Sequence, residues 1–131
     1  MLKTSKAFSG FAVNDQDIAK VKKFYADTLG LEVNENEGML VITLGSGTKV
    51  LAYAKPNHTP ATFTILNFPV DDVERTVRAL KERGVRFEIY KDGDYRTDDQ
   101  GIHRGPEGFS VAWFTDPAGN ILSVVSGSGL S

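Results

Sequence analysis

Phe11-Ala12-Val13-Asn14-Asp15 and Phe68-Pro69-Val70-Asp71-Asp72 repeat one pattern 57 residues apart. Each closes an apolar run with strand character and opens a run with helical spacing. Each helix-like run then stops at a glycine, Gly30 or Gly84, and a strand-like stretch follows: Leu31-Glu32-Val33 in one case, Val85-Arg86-Phe87-Glu88 in the other. A pentapeptide match alone is weak. The recurrence of the whole order (strand, Asp, helix, Gly, strand) marks an internal repeat.

The periodicity predicts a first helix over residues 16–29, with Ile18, Val21, Phe24, Tyr25 and Leu29 on one stripe, Asp15 as N-cap and Gly30 past the C-terminus. A second helix is predicted over 72–83, with Val73, Val77 and Leu80 as its stripe and Asp71 with Glu74 as a capping box. Strands are predicted at 7–13, 31–35, 39–44 and 49–54, then at 61–68, 85–90, 109–114 and 121–125. Each half is thus β-α-β-β-β. A Pro-flanked linker at 55–60 divides them, and a polar stretch at 91–107 interrupts the second. The expected fold class is α+β, one domain over 1–131 made of a first βαβββ module at 7–54 and a second at 61–125.

Ile121-Leu122-Ser123-Val124-Val125 is apolar on both faces. One face packs on the helices; the other must also exclude water, in a cavity under a curved sheet or against a second subunit. Strict alternation places Phe8, Leu51, Tyr53, Phe63, Ile65, Asn67 and Ser123 on that second face, with Trp113 beside them. An apolar surface with a few polar groups suits a small organic ligand, so these eight are the candidate ligand-binding residues.

Composition removes several alternatives. Lys and Arg number 15 against 17 Asp and Glu, a net charge of −2, which lacks the basic excess of a nucleic-acid binder. With no cysteine there is no disulfide, thiolate metal site or cysteine nucleophile. Neither a targeting segment nor a membrane-spanning run is legible, so the expectation is a cytoplasmic protein. The terminal Ser-Gly run from Ser126 reads as a flexible tail.

Of the two histidines, His58 falls in the linker and His103 in the polar loop. The ordinary reading is a pair of solvated imidazoles; the functional one makes His103 a lid or proton-transfer residue, the candidate catalytic group. The mixed charges of 91–99 read as a solvated loop. Asp116-Pro117-Ala118-Gly119-Asn120 reads as a hairpin turn. Gly45-Ser46-Gly47-Thr48 lacks the Lys of a phosphate loop, and no nucleophile elbow is present.

Taken together, the two β-α-β-β-β modules, Phe24-Tyr25 with Leu29-Gly30-Leu31, and Phe114-Thr115-Asp116-Pro117-Ala118-Gly119-Asn120 resemble the vicinal oxygen chelate superfamily, the glyoxalase, bleomycin-resistance and extradiol-dioxygenase group. The resemblance spans residues 7–125 and implies a cupped mixed sheet. In the family's enzymes, His, Gln or Glu side chains on the first and last strands hold a divalent metal. Carried onto this chain, those positions are Phe8 (or Gly10), Leu51, Ile65 and Ser123. Carbon side chains and one neutral hydroxyl offer a cation poor coordination. The reading is therefore a protein with no metal and no cofactor that buries a small organic ligand, as bleomycin-resistance-type sequesterers do. The alternatives are a glyoxalase-like lyase or isomerase and an interaction domain with a filled cup. By resemblance, the chain forms a homodimer.

Overall fold

The computed structural model describes residues 1–129. Leu130 and Ser131, the end of the expected tail, lie outside the described residues. The chain divides into two compact units, Met1–Pro60 and Ala61–Ser131.

In the first unit, β1 (Ser9–Val13) leads through a 3-10 turn (Asp15–Asp17) into helix α1 (Ile18–Lys23), which widens into a π turn (Phe24–Thr28). Strands β2 (Glu32–Asn36), β3 (Met39–Thr43) and β4 (Lys49–Ala54) follow. The sheet order is β1-β4-β3-β2, with β1 parallel to β4 and the other pairs antiparallel. The helix of 16–29 is thus three short pieces. Its widened turn accompanies complete burial of Tyr25, whose ring packs on Phe11 at 5.9 Å between centroids. Asn14, not Asp15, takes the cap position, and its side-chain amide donates to the Asp17 carboxylate. Val21 and Tyr25 complete a core with Phe11, Val13, Leu40, Ile42 and Ala52. Alternation along the strands leaves Gly10, Val41, Leu51 and Tyr53 on the opposite face.

The second unit repeats the plan. It holds β5 (Thr64–Pro69), α2 (Val73–Glu82), β6 (Ile102–Arg104), β7 (Ser110–Thr115) and β8 (Ile121–Ser126), in sheet order β5-β8-β7-β6 with β5 parallel to β8. Asp72, not Asp71, caps α2: its carboxylate accepts from the Arg75 N–H at 3.0 Å. The helix covers Ile102, Ala112, Phe114, Leu122 and Val124 with Val73 and Val77, all of them buried. As expected of a turn, Asp116 Oδ1 accepts from the N–H groups of Ala118 and Asn120, each at 2.9 Å, and closes the β7–β8 hairpin.

The expected strand at 85–90 is not one. Among the described residues its one ladder contact is a bridge from Phe87 to Phe114, with the Glu88 N–H donating to the Trp113 carbonyl at 2.8 Å. The outer edge of β7 is taken from Ser110 to Ala112 by Ile102–Arg104, a strand inside the stretch that reads as loop. Too little edge remains for a second ladder. Val85 and Phe87 are nonetheless buried, which is why their pattern resembles a strand.

A tight backbone approach lets both segments share this edge. Gly101 has φ +90°, and a Cβ there would lie 2.9 Å from Phe87 Cβ and 3.1 Å from the Glu88 carbonyl oxygen. Gly30 also has positive φ, +74°, but open space around it. Gly30→Ala is expected to cost about 1 kcal/mol, the left-handed penalty alone. Gly101→Ala adds a steric clash and is expected to cost about 2–4 kcal/mol. Urea midpoints of the two variants check the order.

Candidate functional site

In the second unit the face of the sheet turned away from α2 is built row by row. The side of α2 is fixed by Arg104, whose guanidinium reaches Glu74 of the helix at 3.4 Å. Alternation then turns His103, Val111, Trp113, Ser123 and Asn67 to the other side. Trp113 pairs with Ser123, and Ser123 with Asn67, so three strands contribute one row. Ser123 is fully buried, and its hydroxyl donates to Asn67 Oδ1 at 2.6 Å.

Beside that row stands a group of aromatic rings. Tyr90 meets Trp113 edge-on at 5.6 Å, Tyr95 meets it at 6.0 Å, and His103 lies at 6.4 Å. Tyr95 also stacks edgewise on His103 at 5.3 Å, and Phe109 lies 6.2 Å from the same imidazole. Edge-to-face packing of this kind adds attraction beyond buried area. Tyr95, at 61% exposure, leaves the group open to solvent. Burial first, and then the charge of Glu88, push the Tyr90 phenol above its usual range.

Local backbone chemistry puts Tyr95 there. The Thr97 N–H donates to the Tyr90 carbonyl at 2.6 Å, and the Tyr90 N–H donates to Thr97 Oγ1 at 2.9 Å, which closes the loop that carries Tyr95. Asp98 then turns the chain into β6. Its Oδ1 accepts from the Gln100 N–H at 2.8 Å and the Ile102 N–H at 3.0 Å, and Arg104 donates to its other oxygen. Burial opposes ionisation of Asp98, but these backbone donors and the Arg104 guanidinium outweigh it and hold the carboxyl below its ordinary range. The bond to Asp98 correspondingly raises the Arg104 guanidinium.

The eight predicted ligand-binding residues therefore separate. Asn67, Trp113 and Ser123 come together, with His103, expected in a loop, beside them on β6. Alternation fails for Phe63 and Ile65. A register shift between Thr64 and Leu66 breaks it, and Phe63 lies before β5 and is exposed. In the first unit Phe8 precedes β1 and, with Val41 and Leu51, lines a depression of about 200 Å³. Tyr53 shares the face of Leu51 and is 40% exposed. His58 stays in the linker after Lys55. Sequence reasoning missed Tyr90, Tyr95 and Phe109. The one signal for Tyr95 was its being the sole Tyr, Phe or Trp in 91–107.

The metal positions implied by resemblance bear Phe8 (or Gly10), Leu51, Ile65 and Ser123, and the Ser123 hydroxyl proton is already given to Asn67. Among the described residues, no group of three or more His, Cys, Asp or Glu side chains is placed to hold an ion. The residues at these positions do not fit a divalent metal.

The fold and these motifs define a glyoxalase-like protein. The chain belongs to the Glyoxalase/Bleomycin resistance protein/Dioxygenase superfamily, whose sequence profile matches residues 8–124. Solved structures with the same fold include a lactoylglutathione lyase from Agrobacterium tumefaciens (21% identity, TM-score 0.66, 98% of this chain and 99% of that one). An antibiotic-binding protein from Streptomyces sp. CB03234 is 24% identical, with TM-score 0.61 over 92% and 94% of the two chains. A fosfomycin resistance protein from Listeria monocytogenes is 13% identical, with TM-score 0.69 over 93% and 92%. No curated protein matches the sequence significantly.

Asp98 yields a prediction of defined sign. Its folded pKa is depressed, so its contribution to stability is present above the unfolded value of about 3.9 and is lost as pH falls through the lower folded value. Asp98→Asn is expected to lower Tm at neutral pH, and the difference from the parent should shrink below pH ~4. Parallel melts across that range check it.

Proposed function

We propose that this protein binds a small, planar organic ligand against the aromatic face of its second unit, by burial and stacking without a metal. The observation that carries the reading is the pairing of two features on one face. The last-strand position that bears a metal ligand in the family's enzymes is Ser123, hydrogen-bonded to Asn67. Trp113, in the same row, is surrounded by Tyr90, Tyr95 and His103. Apolar rings with a few fixed polar groups are what a ligand of this class requires.

On this reading Phe63 and Ile65 take no part in the stacking face, while Phe8, Leu51 and Tyr53 form a second apolar patch on the first unit. The two units are the βαβββ modules of one domain, acting as a cytoplasmic homodimer. The likeness to an antibiotic-binding protein from Streptomyces supports the choice of a binding role.

Trp113 is the only tryptophan, so its fluorescence reports on this face directly. In a panel of planar aromatic compounds and antibiotics, at least one is expected to quench Trp113 saturably and to raise Tm. Ser123→Ala, which frees Asn67, is expected to change that affinity by up to about tenfold. Neither quenching nor a Tm shift across the panel would overturn the reading.

A further inference from the structure

His103 carries the furthest step. Its Nδ1 lies 2.9 Å from the Arg96 carbonyl oxygen. A carbonyl oxygen only accepts, so the proton of that bond sits on Nδ1. In the neutral ring this leaves Nε2 with its lone pair, since the bond made by one ring nitrogen decides which tautomer is held. No other hydrogen bond involves this imidazole among the described residues. The ring is flanked by Tyr95, Phe109 and Trp113, none of which satisfies an in-plane nitrogen lone pair. The Arg96 carbonyl thus fixes an acceptor on a half-buried ring that packs against Tyr95, Phe109 and Trp113, a group that stays open at Tyr95.

We propose that His103 Nε2 is the hydrogen-bond acceptor for the ligand, and that the ligand class is a planar aromatic compound bearing a phenolic O–H or an acidic N–H. This rests on the binding reading above and deepens it. Stacking on Trp113 supplies area without directional preference. The acceptor at Nε2 supplies selection, because a ligand that cannot donate leaves that nitrogen desolvated without a partner. Arg96, Tyr90 and Thr97 act upstream: the Tyr90–Thr97 bonds close the loop that presents the Arg96 carbonyl.

Two measurements test this separately. First, in ligand-free protein in mildly alkaline buffer, nitrogen-15 spectra of the imidazoles, assigned with His103→Gln, are expected to show His103 with its proton on Nδ1; a proton on Nε2 overturns the proposal. Second, 2-naphthol and its methyl ether, 2-methoxynaphthalene, are titrated while the Trp113 indole N–H resonance is followed. The naphthol is expected to bind about fivefold or more tightly. His103→Phe should erase the preference without abolishing binding, and His103→Gln, which still offers an acceptor oxygen, should retain part of it. Equal affinities for the two probes in the parent protein would overturn the acceptor role while leaving the stacking surface standing. Failure of both probes to bind, with the Nδ1–H tautomer confirmed, would overturn this inference, and the binding reading would fall with it only if the wider panel also gave no quenching and no Tm shift.

Discussion

In each unit the first and last strands lie side by side and parallel: β1 with β4, β5 with β8. Parallel neighbours cannot be joined by a tight turn. Everything between them, one helical segment and two further strands, serves as the crossover that permits this pairing. The consequence for chemistry is local. Gly10 is set opposite Leu51, and Asn67 opposite Ser123, on the faces turned away from the helices. In this chain those pairings bring side chains from the two ends of each unit together. The paired positions bear a glycine, a leucine, an amide and a hydroxyl.

The consequences of that substitution pattern are unequal in the two units. In the first, Gly10, Leu51 and Val41 put no polar side chain in the middle of the row, and Phe8, Val41 and Leu51 help to line an apolar depression. In the second, the row is tied by the Ser123–Asn67 bond and extended by Trp113 into a group of rings. A neutral hydroxyl–amide pair is satisfied without a cation, whereas facing carboxylates would repel one another without one. The polar stretch after residue 90 matters for the same reason. Asp98 and Gly101 fold it into a strand and return Tyr95 and His103 to the sheet, so residues that look solvated in sequence become part of the face.

Much of the fold was legible because the repeat was. Gly30 and Gly84 terminate their helices with positive φ, as their positions require. The Asp-Pro-Ala-Gly-Asn segment closes a hairpin through the carboxylate of Asp116. Pattern misled where one strand edge had two claimants. Val85 and Phe87 alternate like a strand because they are buried, yet the edge from Ser110 to Ala112 pairs with Ile102–Arg104, a segment too short and polar to signal itself. On that face, the pairing of Asn67 with Ser123 follows from alternation, whereas Trp113 is placed beside them as the chain's one tryptophan. Alternation fails for Phe63 and Ile65, since a register shift has no signature in residue type. Tyr90 and Tyr95 were invisible because loop closure and an Asp-centred turn, not periodicity, bring them in.

The central claim is that these rows offer a cation no adequate ligands. Its most direct test is metal analysis of the protein after equilibration with Zn, Ni, Mn and Fe ions and removal of the unbound excess. The account predicts substoichiometric metal, unchanged by Ser123→Ala. One ion per chain, lost when Ser123 or Asn67 is replaced by alanine, would contradict it.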